Sequence, residues 1–159
     1  MVTYKQASSK KELEQILLLQ KQNLAKNLTE KEKSYQGFLT VEHSFVVLKA
    51  MNDACGHILA IENDLIIGYA LCMHPRFADS VEILKPMFRE ISKVVNMNTN
   101  YMVMGQICIA KHYRGKGVFR NLYKEMKKVC QRVLISLLRK WIPAINVLCM
   151  QTRQLDLRN

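Results

Sequence analysis

Acidic residues all but vanish from the end of this chain. Residues 101–159 hold two of them, Glu125 and Asp156, against twelve lysines and arginines, whereas residues 1–100 come close to balance at eleven against twelve. A split of this kind within one domain points to a polyanion site or a nucleic-acid arm, or to an end of abnormal composition. Paired cysteines are missing too. The five thiols (Cys55, Cys72, Cys108, Cys130 and Cys149) are odd in number and widely spaced, with no CxxC. That pattern speaks against a zinc site or a disulfide framework and reads as buried free thiols. No uninterrupted apolar run is long enough to span a bilayer, and the N-terminus has no signal-peptide core. The expectation is a soluble, cytoplasmic protein with no membrane contact. At 159 residues the chain suffices for one domain with a real core and is short for two.

What the sequence does contain is concentrated in residues 101–131, YMVMGQICIAKHYRGKGVFRNLYKEMKKVCQ. Met102, Val103, Met104, Ile107, Cys108 and Ile109 have strand character. Arg114, Gly115, Lys116 and Gly117 then make a turn, and Val118, Leu122, Met126 and Val129 follow at helical spacing. The first backbone N–H groups of a helix lack partners within it, and the helix dipole is positive there. Gly115 and Gly117 carry no β-carbon, so a phosphate can come close to that backbone. Arg114, Lys116 and Arg120 add full positive charge. The stretch reads as an anion cradle, with a pyrophosphate as its best occupant. A plain basic turn with no ligand is the alternative, and these residues alone leave both open. The stretch is neither a Walker loop nor the GxGxxG of a dinucleotide fold.

The rest of the chain supplies a consistent frame. Residues 2–7 alternate as a first strand. Ser9 and Glu12 form a capping box for a helix carrying Leu13, Ile16, Leu17, Gln20 and Leu24. Residues 27–35 read as a loop or short helix and residues 37–41 as an extended piece. Ser44 precedes a helix with Phe45, Leu48 and Met51 on its apolar face. Residues 57–62 and 65–73 are strands joined by Asn63–Asp64, a two-residue hairpin turn. Gly68 within the second of them signals a bulge or close packing. Residues 78–95 read as a helix opened by Asp79 or Ser80 and kinked at Pro86. His57, His74 and His112 read as surface or packing residues.

This order, together with the turn, resembles the GNAT superfamily of acyl-CoA-dependent N-acetyltransferases. The family's motif A, Arg/Gln-x-x-Gly-x-Gly/Ala, is met by Arg114 and Gly117, with Phe119 at the last position. The stretch Ile66-Ile67-Gly68-Tyr69-Ala70 also resembles a segment common in the family. The resemblance implies an α+β domain with a mixed, mainly antiparallel sheet flanked by helices. It covers residues 1–131 as an acyl-CoA-binding domain, with residues 132–159 an atypical or incomplete C-terminal part of that domain. It implies acetyl-CoA as acyl donor, with its pantetheine arm along Ile107, Cys108 and Ile109. The pyrophosphate would lie on Arg114, Gly115, Lys116, Gly117, Val118, Phe119 and Arg120. It further implies direct attack by an amine, small-molecule or peptide, and no metal. No carboxylate lies on strand 101–110, so the candidates for the base are Glu42 and His43, with Glu62 at a strand end. Each also reads as a solvated surface group. Tyr35 and Phe38 are candidates to line the acceptor pocket. The general acid cannot be located, and a homodimer is left open.

Two other classes compete. A nucleic-acid-binding module would use the basic end, but the chain lacks aromatic residues interleaved with the basic ones. A catalytically dead fold of the same type would bind acetyl-CoA without turnover.

The segment after Gln131 departs from the family pattern. Its residues, VLISLLRKWIPAINVLCMQTRQLDLRN from Val133 onward, contain no glycine and no hairpin signal. Read in a shifted frame, codons for Trp141 to Ile145 can contain Asp-Thr-Arg-Asn. Those for Gln154 to Leu157 can contain Val-Gly-Phe, and both pieces resemble the family's missing segment in the correct order. The expectation is that the chain leaves its ancestral frame near residues 131–133. A divergent tail with residues 144–150 as a fifth strand is the alternative.

Overall fold

The computed structural model describes residues 1–94 and 101–129. The expectations placed on residues 132–159, on Cys130 and Cys149, and on the last residue of the 78–95 helix lie outside the described residues.

Turn chemistry builds the centre of the sheet. Asn63 and Asp64 have φ of +50° and +61°, the left-handed pair a tight hairpin needs and one that Asn and Asp tolerate. They join β2 (Ile58–Glu62) to β3 (Leu65–Met73). β1 (Thr3–Gln6) adds antiparallel to β2, and β4 (Val103–Ile109) adds antiparallel to β3. The order is β1-β2-β3-β4, so β4 is an edge strand among the described residues. The fold is α+β, as expected.

Helices cover both faces. α1 (Lys10–Gln22) starts where the Ser9 hydroxyl accepts the Glu12 N–H at 3.3 Å and the Glu12 carboxylate accepts the Ser9 N–H at 3.0 Å. It buries Leu13, Ile16, Leu19 and Gln20. Leu24, expected on this helix, lies beyond its end. Asn23 stops the helix by turning its amide back onto the Leu19 carbonyl at 2.8 Å. Leu24 then forms an isolated parallel bridge with Leu39, the extent of strand pairing in the piece at 37–41. α2 (Glu30–Tyr35) and α3 (Phe45–Ala54) are capped by Thr29 and Ser44.

The helix expected over 78–95 is broken differently. Two 3-10 turns, Pro75–Ser80 and Glu82–Leu84, precede α4 (Lys85–Val94). Pro86 sits in the first turn of α4, where its missing N–H removes no helical bond, so it starts the helix rather than kinking it.

Val118, Leu122 and Met126 of α5 (Val118–Val129) pack with Ile58, Ala60, Ile67, Ala70 and Cys72 on the opposite face from α1. Val129, expected on that apolar stripe, is exposed.

Two bulges shape the strands that matter. Ala60 pairs with Gly68 and Ile61 with Ile66, leaving Ile67 as the extra residue of β3. A β-carbon on the adjacent Gly68 would lie 3.2 Å from the Cys108 carbonyl oxygen and 3.4 Å from Val118 Cγ1. The glycine therefore admits both β4 and the first turn of α5. In β4, Leu71 pairs with Gln106 and Cys72 with Met104, so Gly105 is the extra residue. That bulge breaks the alternation and brings Gln106 to the α1 side of the sheet, beside Tyr69.

Candidate functional site

The open end of β4 is finished by backbone geometry. Ala110 donates its N–H to the Ile67 carbonyl at 2.8 Å, and a 3-10 turn (Lys111–Tyr113) follows. Gly115 and Gly117 then take φ of +71° and +74°. Only glycine adopts that region without strain. A β-carbon at either position would meet no protein atom within 4 Å, so the cradle is open in front of both. The N–H groups of Val118, Phe119 and Arg120 are the first of α5 and lack intrahelical acceptors. Lys116 and Arg120 are exposed, with Lys116 Nζ 5.6 Å from the centre of the Tyr113 ring. Phe119 is half-buried.

Arg114 also bonds within the protein. Its Nε donates to the Ile109 carbonyl at 3.0 Å, and its two terminal nitrogens donate to the side-chain oxygens of Gln36 and Asn23. Lys111 meets Glu32 at 2.9 Å, and Lys111 together with Thr29 holds the Glu32 carboxyl down at about 2. These contacts fasten α2 and its flanks to the turn. The guanidinium acts as a clamp, and the exposed cations of the turn are Lys116 and Arg120.

Along β4, successive residues turn their backbone groups to opposite edges. Ala110 bonds towards β3, so Ile109 and Ile107 direct theirs to the open edge and Cys108 directs its own to β3. The Cys108 thiol is buried, and burial pushes its pKa up to about 12.

On the α1 side of β4 lies a polar cluster that composition and periodicity did not flag. Gln106 Oε1 accepts from Gln20 Nε2 at 2.8 Å and from the Tyr69 hydroxyl at 2.7 Å. Gln106 Nε2 donates to the Val41 carbonyl at 2.9 Å. Gln20 also lies 2.9 Å from His43 Nδ1 and accepts the His43 backbone N–H at 2.8 Å. All four side chains are buried, and burial lowers the pKa of His43 and raises that of Tyr69. The one available signal was Gln20 itself, an amide on an otherwise apolar helix stripe. Nothing in the alternation of β4 marks Gln106 as part of such a cluster.

The other candidates stand apart from this cluster. Glu42 is exposed and paired with Lys26 at 2.6 Å. Glu62 accepts from the Tyr113 hydroxyl at 2.7 Å and pairs with the Met1 amino group at 3.1 Å, contacts that lower its pKa. Tyr35 is exposed and Phe38 half-buried. His57 is fully buried, His74 caps the Pro75–Ser80 turn and His112 is exposed. Among the described residues no cluster of His, Cys, Asp or Glu could hold a metal ion, and no helix is long and apolar enough to cross a membrane.

Comparison with known proteins returns no match to any individual curated protein. The model of the acetyltransferase (GNAT) family matches residues 18–146. That span takes in Gln20, the loop with His43, β3, β4, the glycine turn and α5. With most of its length matched and the expected α+β order in place, the chain belongs to the GNAT family of acetyltransferases.

Proposed function

We propose that the protein is an N-acetyltransferase that takes its acetyl group from acetyl-CoA bound at the end of β4 and the start of α5. The observation that carries the reading is the pair of left-handed glycines, Gly115 and Gly117, with open space before them and the N–H groups of Val118, Phe119 and Arg120 behind. Those donors and the dipole suit a pyrophosphate, with Lys116 and Arg120 supplying charge. The outward backbone of Ile107 and the outward N–H of Ile109, whose carbonyl already accepts from Arg114, suit an extended arm laid along a strand edge. The acyl-CoA site falls within residues 1–131, and the acceptor is an amine on a small molecule or peptide. In the reaction the neutral amine nitrogen bonds to the acetyl carbon, the C–S bond breaks, and the sulfur leaves with the electron pair and takes up a proton. The protein contributes positioning, a donor for the carbonyl oxygen, and a route for the proton.

Titration calorimetry with acetyl-CoA tests the assignment. Gly117→Glu forces a side chain into the left-handed region and puts a carboxylate in the cradle. Affinity should fall at least about 100-fold from like-charge repulsion. Unchanged affinity in a folded variant refutes the site. Acetyl transfer across a panel of amines, amino acids and peptides then tests the reaction, and binding without turnover on any of them refutes the enzymatic reading.

A further inference from the structure

The cluster around Gln20 fixes more than packing. Amide side chains can be placed two ways round, but here backbone groups decide both. The His43 backbone N–H is a donor, so the Gln20 atom it meets is the oxygen and the other is the NH2 group. The Val41 carbonyl is an acceptor, so the Gln106 atom it meets is the NH2 group and the other is the oxygen. Gln20 therefore offers its two N–H bonds to the Gln106 oxygen and to His43 Nδ1. His43 Nδ1 faces a donor and must accept. A neutral imidazole that accepts at one nitrogen carries its proton on the other. A second proton, on Nδ1, would set two donors head to head in a buried place, and burial itself already disfavours the cation. Nε2 has no partner among the described residues, and no buried side-chain nitrogen or oxygen there lacks one, so Nε2 is not sealed from solvent.

We propose that His43 is a neutral hydrogen-bond donor through Nε2–H, held in that tautomer by Gln20 and Gln106, and that it takes a carbonyl oxygen of a bound reactant. The inference rests on the acetyl-transfer reading for the identity of that reactant, and it changes the role of a candidate base. With Nδ1 committed and Nε2 protonated, His43 has no lone pair to receive a proton. Of the two acceptor-side candidates, Glu42 is the one that keeps lone pairs beyond its bond to Lys26. Gln20 and Gln106 are positioning residues, because they touch the ring or its partner and not the reactant. The same Gln106 fastens the loop bearing His43 to β4 through Val41, which places the donor beside the strand assigned to the acyl donor.

The tautomer is read directly from the full-length, nitrogen-15-labelled protein by correlating imidazole carbon-bound protons with ring nitrogens at pH 7. His43 is identified by its loss in His43→Gln. A protonated Nε2 with a bare Nδ1 is the expected signature; a protonated Nδ1 or a cationic ring overturns the proposal. Acetyl-CoA alone and an amine acceptor alone are then titrated separately. The one that shifts the His43 Nε2 resonance supplies the oxygen, and a resonance unmoved by both overturns the ligand assignment. Activity gives an independent arm. His43→Gln keeps an N–H at similar reach but cannot act as a base, so kcat should stay within about tenfold of the parent, while His43→Leu should lose about 100- to 1,000-fold. Equal losses in the two variants overturn the donor role. Gln20→Glu presents an acceptor to Nδ1, draws the ring proton there and should lose turnover as His43→Leu does. Calorimetry with acetyl-CoA judges the acetyl-transfer reading separately, since the tautomer is measured without turnover.

Discussion

His57 makes stability depend on pH in a calculable way. The ring is fully buried just before β2. Its Nδ1 accepts the Cys72 backbone N–H at 3.1 Å, and Nε2 lies 3.2 Å from the Leu48 carbonyl, to which it donates. Burial drives its pKa from 6.5 down to about 4. The unfolded chain binds this proton below pH 6.5 and the native protein only near pH 4. Protonation therefore favours unfolding across that interval. The stabilisation is fully present above the unfolded pKa and is lost as pH falls from 6.5 towards 4. At about 1.4 kcal/mol per pKa unit the total is about 3 kcal/mol. His43, also lowered by burial, acts in the same direction. The loss from Glu12 comes lower. Burial raises its pKa, but Lys5, Ser8 and Ser9 outweigh that and bring it to about 2, so its contribution disappears between pH 4.5 and 2. Urea unfolding followed by circular dichroism at several pH values between 7.5 and 4.5 should show stability falling by about 1.4 kcal/mol per pH unit per proton in the lower part of that range. His57→Gln can accept from Cys72 and donate to Leu48 but cannot titrate. It should start about 1–2 kcal/mol less stable at pH 7.5 and show a flatter profile. Parent stability that is flat from pH 7 to 4.5, or an unchanged slope in the variant, would refute the reasoning.

Two further expectations concern the clamp and the chain's end. Arg114→Lys supplies one ammonium where three differently placed oxygens of Ile109, Gln36 and Asn23 need donors. It should cost about 1–3 kcal/mol, read as a lower melting temperature, and a melting temperature equal to the parent's would show that the clamp is idle. The coding DNA, with the intact mass of the natural protein, tests the expected change of frame near residues 131–133. A continuous frame ending at Asn159, with full acetyltransferase activity in that product, rules the change out.

Where sequence and structure agree, the determining chemistry is local. Asn63–Asp64 specifies its turn by tolerating left-handed backbone, and Ser9 with Glu12 specifies a helix start through two reciprocal bonds. Gly115 and Gly117 mark the left-handed turn into α5 because few other residues can stand there. Where they part, a distant contact decides. Pro86 is a kink or a start depending on where the preceding 3-10 turns end. Arg114 also bonds Asn23 and Gln36, brought in by the ends of α1 and α2, contacts that the turn sequence alone does not reveal. Gln106 faces the α1 side beside Tyr69, next to a bulge at Gly105 that leaves no trace in a period of two. The Gln20–His43–Gln106 cluster joins three separate stretches, so no single window of sequence contains it.

The Asn63–Asp64 hairpin also sets an order of assembly. Closing a loop costs entropy that grows with the logarithm of its length, about 0.6 kcal/mol for each doubling. The β2–β3 pair closes through two residues, whereas β4 must return across the long stretch holding α4, and β1 lies beyond α1, α2 and α3. The central pair therefore has the smallest closure cost, and pairing β4 to it costs more. The glycine cradle, the clamp and the His43 cluster all hang on β4, so they come into being only as the last pairings close. A chain with only the β2–β3 pair closed would have a sheet without the turn, the clamp or the cluster.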